Sequence, residues 1–447
     1  MVFDLGSRID SSDVVAEAGV AGLVEIGGVL APRAPFDLAD TDVSGEILSH
    51  LILKIAYTVP HFTTEWVVKQ VCLPLPIVAD LIEQLRHDHM VEVLGSDGPF
   101  SDRLAITDLG RQRAQRLMEI SGYVGPAPVS LRSYQAMLEW QLERLPVAAP
   151  KEVAQALEGL ELTDHARQVA GLASQSRRSL FVYGPPGNGK TTLGHLIHEA
   201  IQGDLWIPAC ISVEQSIIQL YDPNCHENIA GQWSREDAKR IDHRWLKIRR
   251  PFVVVGGELT LSALELTHIA SRNYYEAPLH MKANGGTFLL DDLGRQQVDS
   301  QALLSRWIVP LESQIDYLTL ETGQKIHIPF QQMLIVSTNL DPDRVMDPAF
   351  LRRMGYRLYL GEPSADAYRR IFTCYAQRVG MSVDEALVSE LLARYDREGR
   401  RRLSCHPRDL LERVRDISRF RGNSPTVTRE VLELAWTGYF GNEPTDN

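Results

Sequence analysis

The chain has 447 residues, 44% hydrophobic and 23% charged, which excludes a fibre or a wholly disordered protein and leaves room for two or three domains. Its 46 basic and 58 acidic residues give a net charge of −12, which opposes a general affinity for nucleic acid or anionic membrane and points to protein partners. The five cysteines, Cys72, Cys210, Cys225, Cys374 and Cys405, show no C-x-x-C spacing, so neither a zinc site nor a disulfide framework is indicated and a reducing cytoplasm fits. The N-terminus is acidic, and the apolar stretch from Val14 to Leu30 is interrupted by Glu17 and Glu25, so no targeting signal and no membrane insertion are expected. Residues 1–40 read as a partly ordered arm with a loop at Pro32 and Pro35.

Residues 41–124 change pattern. Apolar residues at helical spacing predict helices over Ser44–Thr58, Thr63–Val71 and Pro76–His89. Two short strands, 90–95 and 103–108, follow around a polar turn, and a helix starts at Leu109. Three helices and a two-stranded wing resemble a winged-helix domain of the α+β class. Many such domains bind DNA, yet the third helix offers Asp80, Glu83, Gln84, Arg86, His87 and Asp88 outward, a mixed and partly acidic face. A major-groove reader presents Arg, Lys, Asn or Gln to bases and phosphates. Protein contact is therefore favoured over DNA, which stays possible. His87 and His89 lack further ligands at fixed spacing and read as surface histidines. The Gly125-Pro126-Ala127-Pro128 run marks a linker, and with a connecting helix over Leu131–Leu145 it fills residues 125–150.

From residue 151 to 362 apolar strands alternate with helices, which predicts an α/β domain with a parallel sheet covered on both faces. The expected strands are Leu180–Tyr183, Trp206–Ile211, Phe288–Leu290, Met333–Ser337 and Tyr356–Leu360. The first runs into Gly184-Pro185-Pro186-Gly187-Asn188-Gly189-Lys190-Thr191-Thr192 and then an amphipathic helix. This is the strand, glycine-rich turn and helix of a phosphate cradle. Gly184, Gly187 and Gly189 free the backbone to turn its N–H groups inward, Lys190 supplies a charge for the β- and γ-phosphates, and Thr191 offers a hydroxyl to Mg²⁺. The apolar run Thr287–Leu290 ends in Asp291, a candidate metal ligand, and Asp292, a candidate water-activating acid. Met333–Asn339 ends in Ser337, Thr338 and Asn339, polar groups able to orient a water. Arg352, Arg353 and Arg357 follow, placed to stabilise transition-state charge in a neighbouring subunit.

That order resembles the AAA+ ATPase family over roughly Pro150 to Phe440. The resemblance implies ATP/ADP and Mg²⁺ as cofactors, ATP hydrolysis, and a homo-oligomeric ring, a hexamer by the family's habit. It further implies Asn339 as sensor 1, Arg352 or Arg353 as the arginine finger, and Arg408 as sensor 2 contacting the nucleotide. Asp292 departs from the family's usual Glu by one methylene. Residues of about 222–286 read as an insertion, within which Arg244–Leu261 is expected to be a β-hairpin turning at Gly256-Gly257. A second hairpin over Tyr317–Ile328 resembles the branch with a hairpin before sensor 1, which holds MoxR-type chaperones, magnesium chelatase subunits and sigma-54 activators. Substrate contact is what that resemblance implies; a structural hairpin is the alternative. Residues 363–440 read as a helical lid of four helices, Ala365–Val379, Val383–Glu398, Pro407–Arg419 and Thr428–Phe440, before a tail over 441–447. The expected function is ATP-driven remodelling of an unidentified protein substrate; the alternative is an ATP-dependent DNA-binding or transcription-regulating protein.

Overall fold

A computed structural model describes residues 22–98, 101–229, 231, 233–342 and 347–441. Most of the arm and of the C-terminal tail lie outside the described residues. Five short strands, four of them apolar runs, form one sheet. Its five strands lie in the order Phe252–Val255, Thr287–Leu290, Met333–Thr338, Leu180–Tyr183 and Tyr356–Tyr359, all parallel. The three central strands are buried almost throughout, as a sheet covered on both faces requires. On one face Asp164–Ser176 and Lys190–Glu199 pack through Ala170, Ala173, Leu193 and Ile197. On the other, Ser300–Ser313 inserts fully buried Trp307, edge-on to Phe288 with ring centroids 5.6 Å apart. The fold is an α/β P-loop arrangement, a parallel sheet covered by helices on both faces, followed by C-terminal helices.

One expected strand is absent from this sheet. Asp204–Pro208 pairs antiparallel with Trp245–Arg249, and Cys210–Val213 joins a different sheet. The edge place goes to Phe252–Val255, so the hairpin expected over Arg244–Leu261 does not form. Its two halves belong to separate sheets, divided at Arg250-Pro251, where proline has no N–H to continue a ladder. The span 222–286 is accordingly not one insertion, since it contains a strand of the central sheet.

The stretch read as a linker is also built in. Val129–Ser130 pairs with Cys210–Val213 at the edge of the second five-stranded sheet, and Leu131–Arg144 buries Tyr134, Met137 and Leu138 against it. Arg244, 2% exposed, ties this junction: it pairs with Asp242 and donates to the carbonyls of Thr41 and Pro128. The later hairpin, Ile315–Thr319 with Lys325–Pro329, buries Leu318, Ile326 and Ile328 in the same core and turns its alternate residues outward.

Helices Gly45–Tyr57, Thr64–Val71 and Leu75–His87 pack with an antiparallel sheet ordered Phe62–Thr63, Ser101–Ile106, Val91–Gly98. Ser44 and Thr63 cap the first two helices, and Thr107 caps the Asp108–Ile120 helix that closes the unit. Its core includes Cys210, Ile217 and Tyr274, so it is continuous with the second sheet. The C-terminal helices are Ala365–Arg378, Glu385–Arg397, His406–Phe420 and Arg429–Phe440. Asp384 and Thr428 cap the second and fourth.

Candidate nucleotide site

The ends of three adjacent strands, far apart in sequence, meet at one point. The Leu180–Tyr183 strand turns through Gly184, Gly187 and Gly189 at φ of 141°, 76° and 82° into the helix that starts at Lys190. A Cβ at Gly184 would stand 2.2 Å from the Leu360 carbonyl oxygen, and one at Gly187 2.5 Å from Cys405 Sγ. The loop is thus glycine by conformation and by space. Lys190, 6% exposed, donates from Nζ to the carbonyls of Gly184 (3.0 Å) and Pro185 (2.8 Å) and to Asn339 Oδ1 (2.5 Å). Burial pulls its ammonium below the ordinary lysine range, against the opposing charges of Asp292 and Asp291.

The acidic pair divides its work. Asp291 accepts from Thr191 Oγ1 at 2.7 Å and from the Ser337 hydroxyl. Asp292 accepts from Asn339 Nδ2 at 2.5 Å and lies 3.9 Å from the Arg295 guanidinium. Its backbone is left-handed, φ 52°, an uncommon state for a residue with a Cβ, which turns its carboxylate toward Asn339 rather than along the strand. Lys190, Asn339 and Asp292 therefore form one hydrogen-bonded chain, with Thr191 and Asp291 beside it.

Lys190, Thr191, Asp292, Arg295 and Asn339 line a cleft of 390 Å³ together with Leu160, Pro186, Thr192, Ser404, Cys405 and Arg408. The last three come from the C-terminal helices, which dock on the glycine loop: Cys405 N donates to Gly187 O at 2.9 Å, and Ser404 N to Asn188 Oδ1 at 3.0 Å. Exposed Arg408 lines the cleft while held to Asp409 at 2.9 Å. The preceding Arg400, Arg401 and Arg402 do not line it; their guanidinium groups pair with Glu398, Glu362 and Asp396. Arg295 and Cys405 were not anticipated. Both adjoin recognisable motifs, Asp291-Asp292 and His406-Pro407-Arg408, but only the folded chain turns them inward.

Arg352 and Arg353 stand elsewhere. They end the Pro348–Arg353 helix just before the Tyr356–Tyr359 strand, at the sheet's opposite end from the glycine loop. Arg353 is occupied by Glu312 at 2.6 Å and by the Ala349 carbonyl, and Arg357 by the Leu351 carbonyl. Exposed Arg352 makes no hydrogen bond or ion pair among the described residues.

The site suits a nucleoside triphosphate with Mg²⁺. The cradle excludes side chains, the helix N-terminus faces it, and the oxygens of Thr191 and Asp291 are the hard donors Mg²⁺ takes. Among the described residues no group of three His, Cys, Asp or Glu side chains could hold a metal, and Mg²⁺ in such sites needs only one or two protein oxygens beside phosphate.

Comparison with known proteins adds the following. Residues 364–438 match a domain of unknown function, DUF8689. No curated protein matches. Among solved structures, the chain is similar to the Thermotoga maritima RuvB Holliday junction branch migration motor, at 14% identity over 66% of this chain and 71% of that one, TM-score 0.37. It is also similar to NtrX from Brucella abortus in complex with ADP, at 16% identity over 75% of this chain and 63% of that one, TM-score 0.40. NtrX in complex with ATP gives 16% identity over 72% and 62%, TM-score 0.37. The P-loop character of the chain rests on its strand order and its glycine loop rather than on these likenesses.

Proposed function

We propose that the protein is a Mg²⁺-dependent ATPase of the AAA+ family that works as a ring and remodels a protein partner. The observation that carries this reading is the convergence of Lys190, Asn339 and Asp292 in one hydrogen-bonded chain with Thr191–Asp291 alongside. In it Lys190 and the glycine-loop N–H groups bind phosphate, Asn339 positions Asp292, and Asp292 takes a proton from the attacking water. Bound Mg²⁺ supplies neutralisation of charge on the phosphates, held by Thr191 and Asp291. Arg408 reaches the nucleotide from the C-terminal helices, and Arg352, which makes no hydrogen bond or ion pair among the described residues, serves the next subunit's site. The outward face of the Leu75–His87 helix keeps Asp80, Glu83 and Asp88 exposed and ties Arg86 to Glu83, which favours a protein partner over DNA. Steady-state ATP turnover against protein concentration, beside sizing in ATP, tests this. A specific rate that rises as a ring forms and vanishes in Lys190→Ala supports it; normal turnover in Lys190→Ala sinks it.

A second reading, a nucleotide switch with slow hydrolysis, is favoured by Asp292 itself, short by a methylene and engaged by Asn339 and Arg295. Asp292→Glu then raises turnover; a fall instead removes this reading.

A further inference from the structure

The N-terminal ends of all five parallel strands open on a second cavity, of 790 Å³, remote from the glycine loop. Residues within two positions of the start of each strand contribute: Arg250, Gly286, Gln332 with Met333, Ser179 and Gly355. The two ends of the sheet are about 13 Å apart at four residues of about 3.3 Å each, so one ligand does not bridge them.

The walls are strongly cationic. Arg250, 6% exposed, has its guanidinium fixed by the carbonyls of Gly285 (2.6 Å) and Gln202 (3.2 Å). Arg177 is fixed likewise by the carbonyls of Leu142, Leu145 and Pro146. Carbonyls satisfy the donors without cancelling the charge. Burial and the neighbouring Arg177 pull the Arg250 pKa down to about 9, the mark of a cation lacking a counter-ion. Arg178 and Arg352 line the same cavity, exposed, with no hydrogen bond or ion pair among the described residues. Against these stand Glu139 and Glu143, both exposed, with Glu143 drawn to Arg144 at 3.3 Å.

An independent feature points to a ligand. Gln332, 8% exposed, lines the cavity with neither Nε2 nor Oε1 hydrogen-bonded among the described residues. Native proteins rarely leave a buried amide without a partner.

We propose that this cavity is a second anion site, which takes a small phosphoryl compound, either free phosphate or a phosphomonoester, on Arg178, Arg250 and Gln332. Guanidinium groups suit phosphate oxygens in geometry as well as charge, and the Gln332 amide can donate to one of them. An extended nucleic-acid backbone fits poorly, because the basic groups lie in a recess flanked by Glu139 and Glu143 and the chain as a whole is acidic. The site does not depend on the ATPase reading.

The test uses the full chain carrying Lys190→Ala, which disables the glycine loop, in Mg²⁺-free buffer with EDTA. Orthophosphate and AMP are titrated separately by calorimetry, with thermal unfolding followed in parallel. Saturable binding and a raised Tm are expected, weakened at least tenfold by adding Arg178→Ala, whose exposed side chain is dispensable for folding. Adding Gln332→Glu instead, nearly isosteric, is expected to abolish binding and to raise Tm without ligand, as the new carboxylate meets the arginines. Tighter binding of AMP assigns the site to a phosphomonoester, and equal binding to free phosphate. No saturable binding of either probe, or binding indifferent to Arg178→Ala and Gln332→Glu, overturns the proposal.

Discussion

Gly187 carries two constraints at once, and they separate in mutants. Its φ of 76° is left-handed, and a Cβ there would meet Cys405 Sγ at 2.5 Å, a clash with the Cys405–Phe420 segment rather than with the loop itself. Gly187→Ala is expected to destabilise the fold by about 1–3 kcal/mol in urea unfolding, through strain at the left-handed backbone. Adding Cys405→Ala relieves the clash and leaves the backbone cost, so the double variant recovers part of the loss. Full recovery would mean that the dihedral is not a constraint. Asp292 shows the opposite balance: a left-handed residue that keeps its side chain because the carboxylate is needed facing Asn339.

The C-terminal helices form an element with its own acid response. His406 is 5% exposed, accepts or donates at the Tyr395 hydroxyl at 2.9 Å, and lies among Tyr439 and Phe440. Burial lowers its pKa to about 4, against the pull of Asp409. Between pH 6.5 and 4 the unfolded segment takes up a proton that the folded one refuses, so stability is full above the upper limit and falls as pH drops. The loss is at most about 3 kcal/mol for one such group. Replacing His406 with Gln is expected to flatten the decline of Tm from pH 7 to 5; an unchanged slope would assign the acid sensitivity elsewhere, His198 being the next candidate because burial also lowers its pKa to about 4. These helices were legible in the sequence because amphipathic spacing and caps such as Ser364 are local signals. So was the glycine loop, whose conformation is encoded residue by residue. Strand partners were not. Phe252–Val255 and Trp206–Ile211 are equally apolar, and which one joins the central sheet depends on where Pro251 breaks the chain and on contacts with Thr287–Leu290. The Val129–Ser130 strand hid behind a Gly-Pro run for the same reason, since two residues of pairing leave no periodicity to read.

On the scale of the whole molecule, the separation of Arg352 from the glycine loop has a consequence that a single chain cannot show. Lys190 stands at the C-terminal ends of the strands and Arg352 at the N-terminal ends, so no one subunit brings both to the same phosphate. If Arg352 acts, it acts across a head-to-tail interface, which makes a ring where its rotation closes. Arg352→Ala is then expected to keep nucleotide binding and lose turnover, while Arg353→Ala, by freeing Glu312, acts chiefly on stability. Mixing decides between shared and self-contained sites. A Lys190→Ala subunit has a disabled cradle and an intact Arg352; an Arg352→Ala subunit has the reverse. In rings assembled at random from equal amounts, about one quarter of sites pair an intact cradle with an intact arginine, because each condition holds for about half the subunits in a head-to-tail ring. Turnover of the mixture, refolded or exchanged together, should recover toward that fraction of wild type although each variant alone is inactive. A mixture as inactive as its parts, with rings shown by sizing, would remove the shared site, whereas undiminished turnover in Arg352→Ala alone would place the positive charge within the subunit, where Arg295 at 3.9 Å from Asp292 and Arg408 in the cleft are the groups able to supply it.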